Sequence, residues 1–100
     1  MSYRIEQDFE YKGDDWWEWA VWVEASDAQL DRIEYVEYVL DPTFAKPVRE
    51  IYDRATKFRL ETSGWGVFTI YANVHLKDEK LIQLEHELVL KYRNGKQTFR

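Results

Sequence analysis

Residues 3–12 read Tyr-Arg-Ile-Glu-Gln-Asp-Phe-Glu-Tyr-Lys, and apolar side chains alternate there with charged or polar ones. Tyr3, Ile5, Phe9 and Tyr11 share one face of an extended chain, because successive side chains of a strand point to opposite sides. This period of two predicts a half-buried β-strand. The next residues, Gly13-Asp14-Asp15, favour a turn.

The pattern continues outward from this stretch along the whole chain. Residues 16–25 alternate with Trp17 and Trp19 on one face, and residues 33–40 are rich in β-branched and aromatic types. Further strands are predicted at 67–76 and 80–91, with short ones near 49–54 and 58–62. Ser26 to Arg32 is a polar connector in which Ser26 and Gln29 have the spacing of a capping box, so one helical turn is expected.

These segments predict an all-β fold, an antiparallel β-sandwich of seven to eight short strands. The expected core is a mixed aromatic and aliphatic set from three of the strands: Trp17, Trp19, Phe68, Ile70, Leu84 and Leu88. One hundred residues are enough for one such core, so we expect residues 1–100 to form a single domain.

Composition narrows the classes of function. Cysteine is absent, which excludes disulfides and thiolate metal sites and is compatible with the cytoplasm. The net charge of −5 and the lack of a Lys/Arg cluster argue against a nucleic-acid partner. No apolar run approaches the length of a membrane span. A soluble, cytoplasmic domain is expected, with no membrane partner.

The sequence contains no recognisable catalytic motif, so the chain is not expected to be an enzyme. Its few serines include none in a nucleophile elbow, and Gly64-Trp65-Gly66 lacks the third glycine of a dinucleotide fingerprint. His86 falls on an apolar strand face and is expected to be a hydrogen-bonded core or rim residue. His75 falls on the polar face, where we expect it to be solvated. No cofactor or metal site is predicted.

Two aromatic-bearing segments carry the functional signal: Leu40-Asp41-Pro42-Thr43-Phe44-Ala45-Lys46-Pro47-Val48-Arg49 and Glu61-Thr62-Ser63-Gly64-Trp65-Gly66-Val67-Phe68. Ser63 to Gly66 is expected to be a tight loop whose two glycines permit positive φ. Together with Leu84-Glu85-His86-Glu87-Leu88-Val89-Leu90, these segments resemble the YEATS family, in particular its prokaryotic branch. The resemblance covers roughly residues 33–90 and implies an immunoglobulin-like sandwich that binds acylated lysine in a peptide or protein.

The resemblance also implies a role for each site residue. Phe44 and Trp65 would form two aromatic walls, Thr43 would offer its hydroxyl to the ligand amide, and the backbone N–H groups of Trp65 and Gly66 would donate to the acyl carbonyl. Gly64 belongs to the same motif. The usual histidine of the first loop is Asp41 here, which leaves two outcomes: Asp41 accepts a bond from Thr43, or the pocket does not form.

Two other binding functions compete with acyl-lysine recognition. The domain could be a protein-interaction scaffold of a prokaryotic signalling or defence assembly, with Phe44 and Trp65 serving only to anchor their loops. Alternatively, Trp16 and Trp22, on the outward face of the second strand, could stack on a carbohydrate. The oligomeric state is not determined by these patterns.

Overall fold

Seven strands form two antiparallel sheets in the computed structural model, which describes residues 3–98. The strands are β1 (Arg4–Gly13), β2 (Trp16–Glu24), β3 (Ile33–Val39), β4 (Val48–Ile51), β5 (Leu60–Gly64), β6 (Thr69–Leu76) and β7 (Leu81–Glu87). The three-stranded sheet has the order β1-β2-β5, and the four-stranded sheet has the order β4-β3-β6-β7. This arrangement confirms the predicted all-β, immunoglobulin-like sandwich. Residues 1–2 and 99–100, which the expected single domain also includes, lie outside the described residues.

The two connections around β2 form as their local sequences predict. Gly13, Asp14 and Asp15 all have positive φ (95°, 55° and 56°), a conformation that glycine and aspartate tolerate better than most residues. After β2, the short helix α1 (Asp27–Leu30) begins with a complete capping box. The Ser26 hydroxyl accepts from the Gln29 N–H at 3.2 Å, and the Gln29 side chain accepts from the Ser26 N–H at 3.3 Å.

The core lies between the sheets and is built from the inward faces of β2, β3 and β6. Of the predicted core residues, Trp17, Trp19, Ile70 and Leu88 are buried. Phe68 and Leu84 are only half-buried and pack against the periphery of the core. Leu84 is less covered because β7 is the outer strand of its sheet.

The chain between β4 and β5 differs from the prediction. Asp53 accepts from the Ala55 N–H at 3.1 Å and caps a 3₁₀ helix, Arg54–Thr56, which shortens β4. Lys57 and Phe58 then adopt the left-handed conformation, with φ of 59° and 58°, so β5 begins at Leu60 rather than at residue 58. A capped turn and two left-handed residues cannot belong to a strand ladder.

The predicted tight loop at residues 63–66 is also wrong in part. β5 continues through Gly64, which pairs with Trp17 of β2. The glycines that adopt positive φ within residues 3–98 are Gly13 and Gly95, so neither glycine of the Gly64-Trp65-Gly66 motif is required for a left-handed turn. Strand pairing, rather than turn formation, therefore determines the backbone at Gly64.

No helix among residues 3–98 has the length and apolar character to cross a membrane.

Candidate functional site

The first loop, residues 40–47, leads from β3 to β4 and is closed by its own hydrogen bonds. The Leu40 N–H donates to the Pro47 carbonyl at 2.7 Å, and the Phe44 N–H donates to the Asp41 carbonyl at 3.0 Å. These bonds fold residues 41–44 into a turn, which presents the Thr43 and Phe44 side chains at one end of the sandwich.

Asp41 organises this turn through its carboxylate. Its Oδ1 atom accepts from the backbone N–H of Thr43 at 3.0 Å and from the Thr43 hydroxyl at 2.8 Å. These two bonds lower the pKa of Asp41, the backbone bond contributing more than the hydroxyl bond. Of the two outcomes left open by the sequence, the structure has the one in which Asp41 accepts from Thr43. Because the hydroxyl proton points to Asp41, the lone pairs of Thr43 Oγ1 can accept a bond from another donor.

The second segment, residues 64–68, connects β5 to β6 and runs beside the first loop. Trp65 is 56% exposed. The half-buried Phe44 ring contacts Phe68, with centroids 5.4 Å apart, and meets Trp19 edge-on at 6.3 Å. Phe44 therefore packs on the end of the core, while the Trp65 side chain is largely exposed.

Between the two segments lies a groove of about 440 Å³, which is within the size range of small-molecule sites. All six residues predicted from the sequence line it: Asp41, Thr43, Phe44, Gly64, Trp65 and Gly66. The structure brings them together, and their part in binding a ligand stays a prediction.

Trp16 is a wall of the same groove that sequence reasoning did not assign to it. It is 42% exposed and begins β2, opposite Gly13, where the β1–β2 register shifts. Nothing in the sequence signals this placement, since it depends on the pairing of β2 with β5.

Trp16 and Trp22, the alternative carbohydrate-binding residues, do not form a common platform. The two residues are six positions apart on β2, about 20 Å at the usual rise of a strand. The Arg59 guanidinium instead lies over the Trp22 ring, 5.0 Å from the ring centroid, and the Trp22 indole N–H donates to Glu24 at 3.4 Å. A single sugar cannot contact both rings.

The histidines lie away from the groove. As expected, His86 is hydrogen-bonded at the rim of the core: its Nε2 atom lies 2.6 Å from the Gln7 side-chain oxygen. His75 is not solvated as expected. It stacks on Tyr35, with ring centroids 4.3 Å apart, and its Nε2 atom is buried. The polar face of β6 is covered here by the tyrosine opposite on β3.

Comparisons with known proteins agree with this architecture. The structure of the Yaf9 YEATS domain bound to H3K27ac superimposes with a TM-score of 0.69 at 23% sequence identity, covering 96% of this chain and 75% of that one. The Yaf9 YEATS domain recognising an H3K122suc peptide gives a TM-score of 0.64 at 23% identity, covering 96% and 72%. A yeast AF-9 homologue, Yaf9, gives 0.69 at 24%, covering 90% and 66%. No curated protein sequence matches the chain significantly.

At this level of identity the structural matches show the shared fold alone. The family model for the prokaryotic YEATS domain matches residues 17–89, which include both groove segments, strands β3 to β7 in full and all of β2 except Trp16. The chain therefore belongs to the prokaryotic YEATS domain family.

Proposed function

We propose that this domain binds a peptide through an acylated lysine held between Phe44 and Trp65. The observation that carries the proposal is the groove in which these two rings, Thr43 and the Gly64–Gly66 backbone meet. Members of the YEATS family are binding modules rather than enzymes, and two structures of the Yaf9 YEATS domain hold it bound to H3K27ac and recognising an H3K122suc peptide.

The groove offers a partner for each part of an acyl amide. Thr43 Oγ1, whose proton is directed at Asp41, accepts the amide N–H. The backbone N–H groups of Trp65 and Gly66 donate to the acyl carbonyl. The flat amide stacks against the Phe44 and Trp65 rings, and each such contact contributes about 1 kcal/mol.

Electrostatics determine whether the acyl group is preferred over a free amine. An unmodified lysine would have to desolvate its ammonium group, which is costly without a charged partner. Asp41 lines the groove and is anionic at neutral pH, since its pKa is lowered. Its Oδ1 atom already accepts two bonds from Thr43, and we therefore propose that the neutral acyl amide is the better ligand.

The test is a calorimetric titration with three peptides of one sequence, carrying unmodified, acetylated or crotonylated lysine. We expect micromolar binding of the acylated peptides, about −8 kcal/mol, and at least tenfold weaker binding of the unmodified one. Trp65→Ala is the cleanest variant because Trp65 is exposed. It should weaken acyl binding about fivefold to tenfold through the loss of one ring contact, and Phe44→Ala should do the same.

Trp22→Ala is the matched control, since it removes a partly exposed tryptophan that lies in β2 away from the groove. Circular dichroism would establish that each variant is folded. Equal binding of all three peptides, or none, would contradict the proposal and favour the protein-interaction scaffold. Preference for the unmodified peptide would mean that Asp41 acts as the partner of a cationic amine.

A further inference from the structure

Trp19 carries a polar group whose role the fold does not explain. Its side chain points into the core from β2 and is 3% exposed. Within residues 3–98, its indole Nε1 and the Nε2 of His75 are the buried side-chain nitrogen or oxygen atoms that have no hydrogen-bond partner. The neighbouring Trp17 shows the usual arrangement, because its Nε1–H donates to the Lys91 carbonyl at 2.8 Å. A buried N–H without an acceptor destabilises the folded state.

The Trp19 indole nitrogen lies close to Gly64, one of the residues that line the groove. A Cβ atom placed on Gly64 would be 3.9 Å from Trp19 Nε1 and 3.7 Å from Phe44 Cζ, both ordinary contact distances. Gly64 itself lines the groove. The absence of a side chain at residue 64 therefore leaves a space of about one methyl group between the indole nitrogen and the tip of the Phe44 ring.

Backbone conformation does not account for the glycine at this position. The φ of Gly64 is outside the positive range, so alanine could adopt it without strain. A side chain at residue 64 would instead fill the space between the Trp19 indole N–H, which has no acceptor, and the Phe44 ring of the proposed ligand site.

We propose that the Trp19 indole N–H donates to an oxygen on the acyl chain of the ligand, which makes the groove selective for lysine acylated with a short chain bearing a neutral hydroxyl or keto oxygen. This inference rests on the proposed function. The indole nitrogen is covered in the structure, so the Phe44 ring moves aside when the acyl chain enters. A neutral oxygen is preferred to a carboxylate because the anionic Asp41 lines the same groove.

The experiment compares peptides of one sequence whose lysine carries a butyryl, an (R)- or (S)-3-hydroxybutyryl, or a succinyl group. We expect one hydroxybutyryl epimer to bind about threefold to tenfold tighter than butyryl, the effect of one added hydrogen bond. The succinyl peptide should bind more weakly than that epimer. In a ¹⁵N–¹H spectrum, the indole proton of Trp19, one of five in the chain, should move downfield with the hydroxyl-bearing ligand alone.

Two variants separate this donor from general effects on the groove. Gly64→Ala fills the space beside Trp19 while both rings remain, and Trp19→Phe removes the N–H; in each, the hydroxybutyryl-to-butyryl affinity ratio should fall to about 1. Trp22→Phe removes an indole N–H that lies outside the groove and should preserve the ratio. If Trp19→Phe does not fold, the inference is tested by the affinity ratio of Gly64→Ala and by the shift of the Trp19 indole signal in the wild type.

The outcomes distinguish this inference from the function on which it rests. Equal affinity for butyryl and both hydroxybutyryl peptides, with an unmoved Trp19 signal, would overturn the inference and leave acyl-lysine binding intact. Succinyl binding as tight as hydroxybutyryl would overturn the preference for a neutral oxygen. Failure of every acylated peptide to bind would overturn both proposals.

Discussion

Substitution of Tyr38 by phenylalanine tests a hydrogen bond that holds the two sheets together. Tyr38 is fully buried in β3, and its hydroxyl donates to the Phe58 carbonyl at 2.7 Å. Burial raises the pKa of the tyrosine hydroxyl, so the group is neutral at all ordinary pH values. The bond links β3, which leads into the first groove loop, to the left-handed turn that precedes β5.

The loss of stability in Tyr38→Phe depends on the hydrogen bond that the hydroxyl makes. Tyr38→Phe removes one donor and leaves the carbonyl of the buried Phe58 without it, which costs about 1–3 kcal/mol. We expect the free energy of unfolding to fall by about 2 kcal/mol. For a domain of this size, that corresponds to a Tm lower by about 10 °C.

Urea unfolding followed by tryptophan fluorescence measures this change, and the m-value should stay constant because the same surface is exposed on unfolding. Tyr52→Phe is the matched control: its hydroxyl is exposed and makes only a 3.4 Å bond to Glu50. A loss below about 0.5 kcal/mol in Tyr38→Phe would refute the reasoning, as would an equal loss in the two variants.

Three further predictions concern the groove and the rim of the core. Asp41→Ala should weaken acyl-peptide binding about fivefold, because Thr43 loses the acceptor that orients its hydroxyl. In the wild type, the contribution of the Asp41 carboxylate to binding should persist until the pH falls below the ordinary aspartate range, since the pKa of Asp41 is lowered. NMR titration of the Asp41 carboxyl group measures this pKa. Burial lowers the pKa of His86, so the unfolded chain binds its proton first and stability should fall as the pH drops below about 6.5. In His86→Gln, the urea midpoint should depend less on pH between 7 and 5 than in the wild type. The same pH dependence in both proteins would show that His86 is not responsible for it. Trp16→Ala should weaken acyl-peptide binding about threefold through loss of a groove wall, whereas unchanged affinity would exclude Trp16 from the site.

The local chemistry of the fold could be predicted from the sequence alone. Alternation along residues 3–12 and 67–76 identified strands and their inward faces, because side-chain direction in a strand depends only on position parity. The Ser26–Gln29 capping box and the turn at Gly13 formed for the same reason, since their hydrogen bonds and dihedral angles involve residues a few positions apart. The six candidate site residues were identified by resemblance to a family, and the groove places them together.

Only the tertiary structure decided the features that depend on pairing between distant segments. β5 joins β2 across about 40 residues, and this pairing makes Gly64 a strand residue rather than a turn. The same pairing sets Gly64 beside the Trp19 indole nitrogen and Trp16 along the groove. His75 is covered because β3 places Tyr35 opposite it. The sequence by itself determined the positions of the longer strands β1, β2, β3 and β6, because side-chain alternation along a strand is a local property. The order of the strands, and with it the shape and donors of the groove, required the complete set of long-range contacts that only the folded chain satisfies.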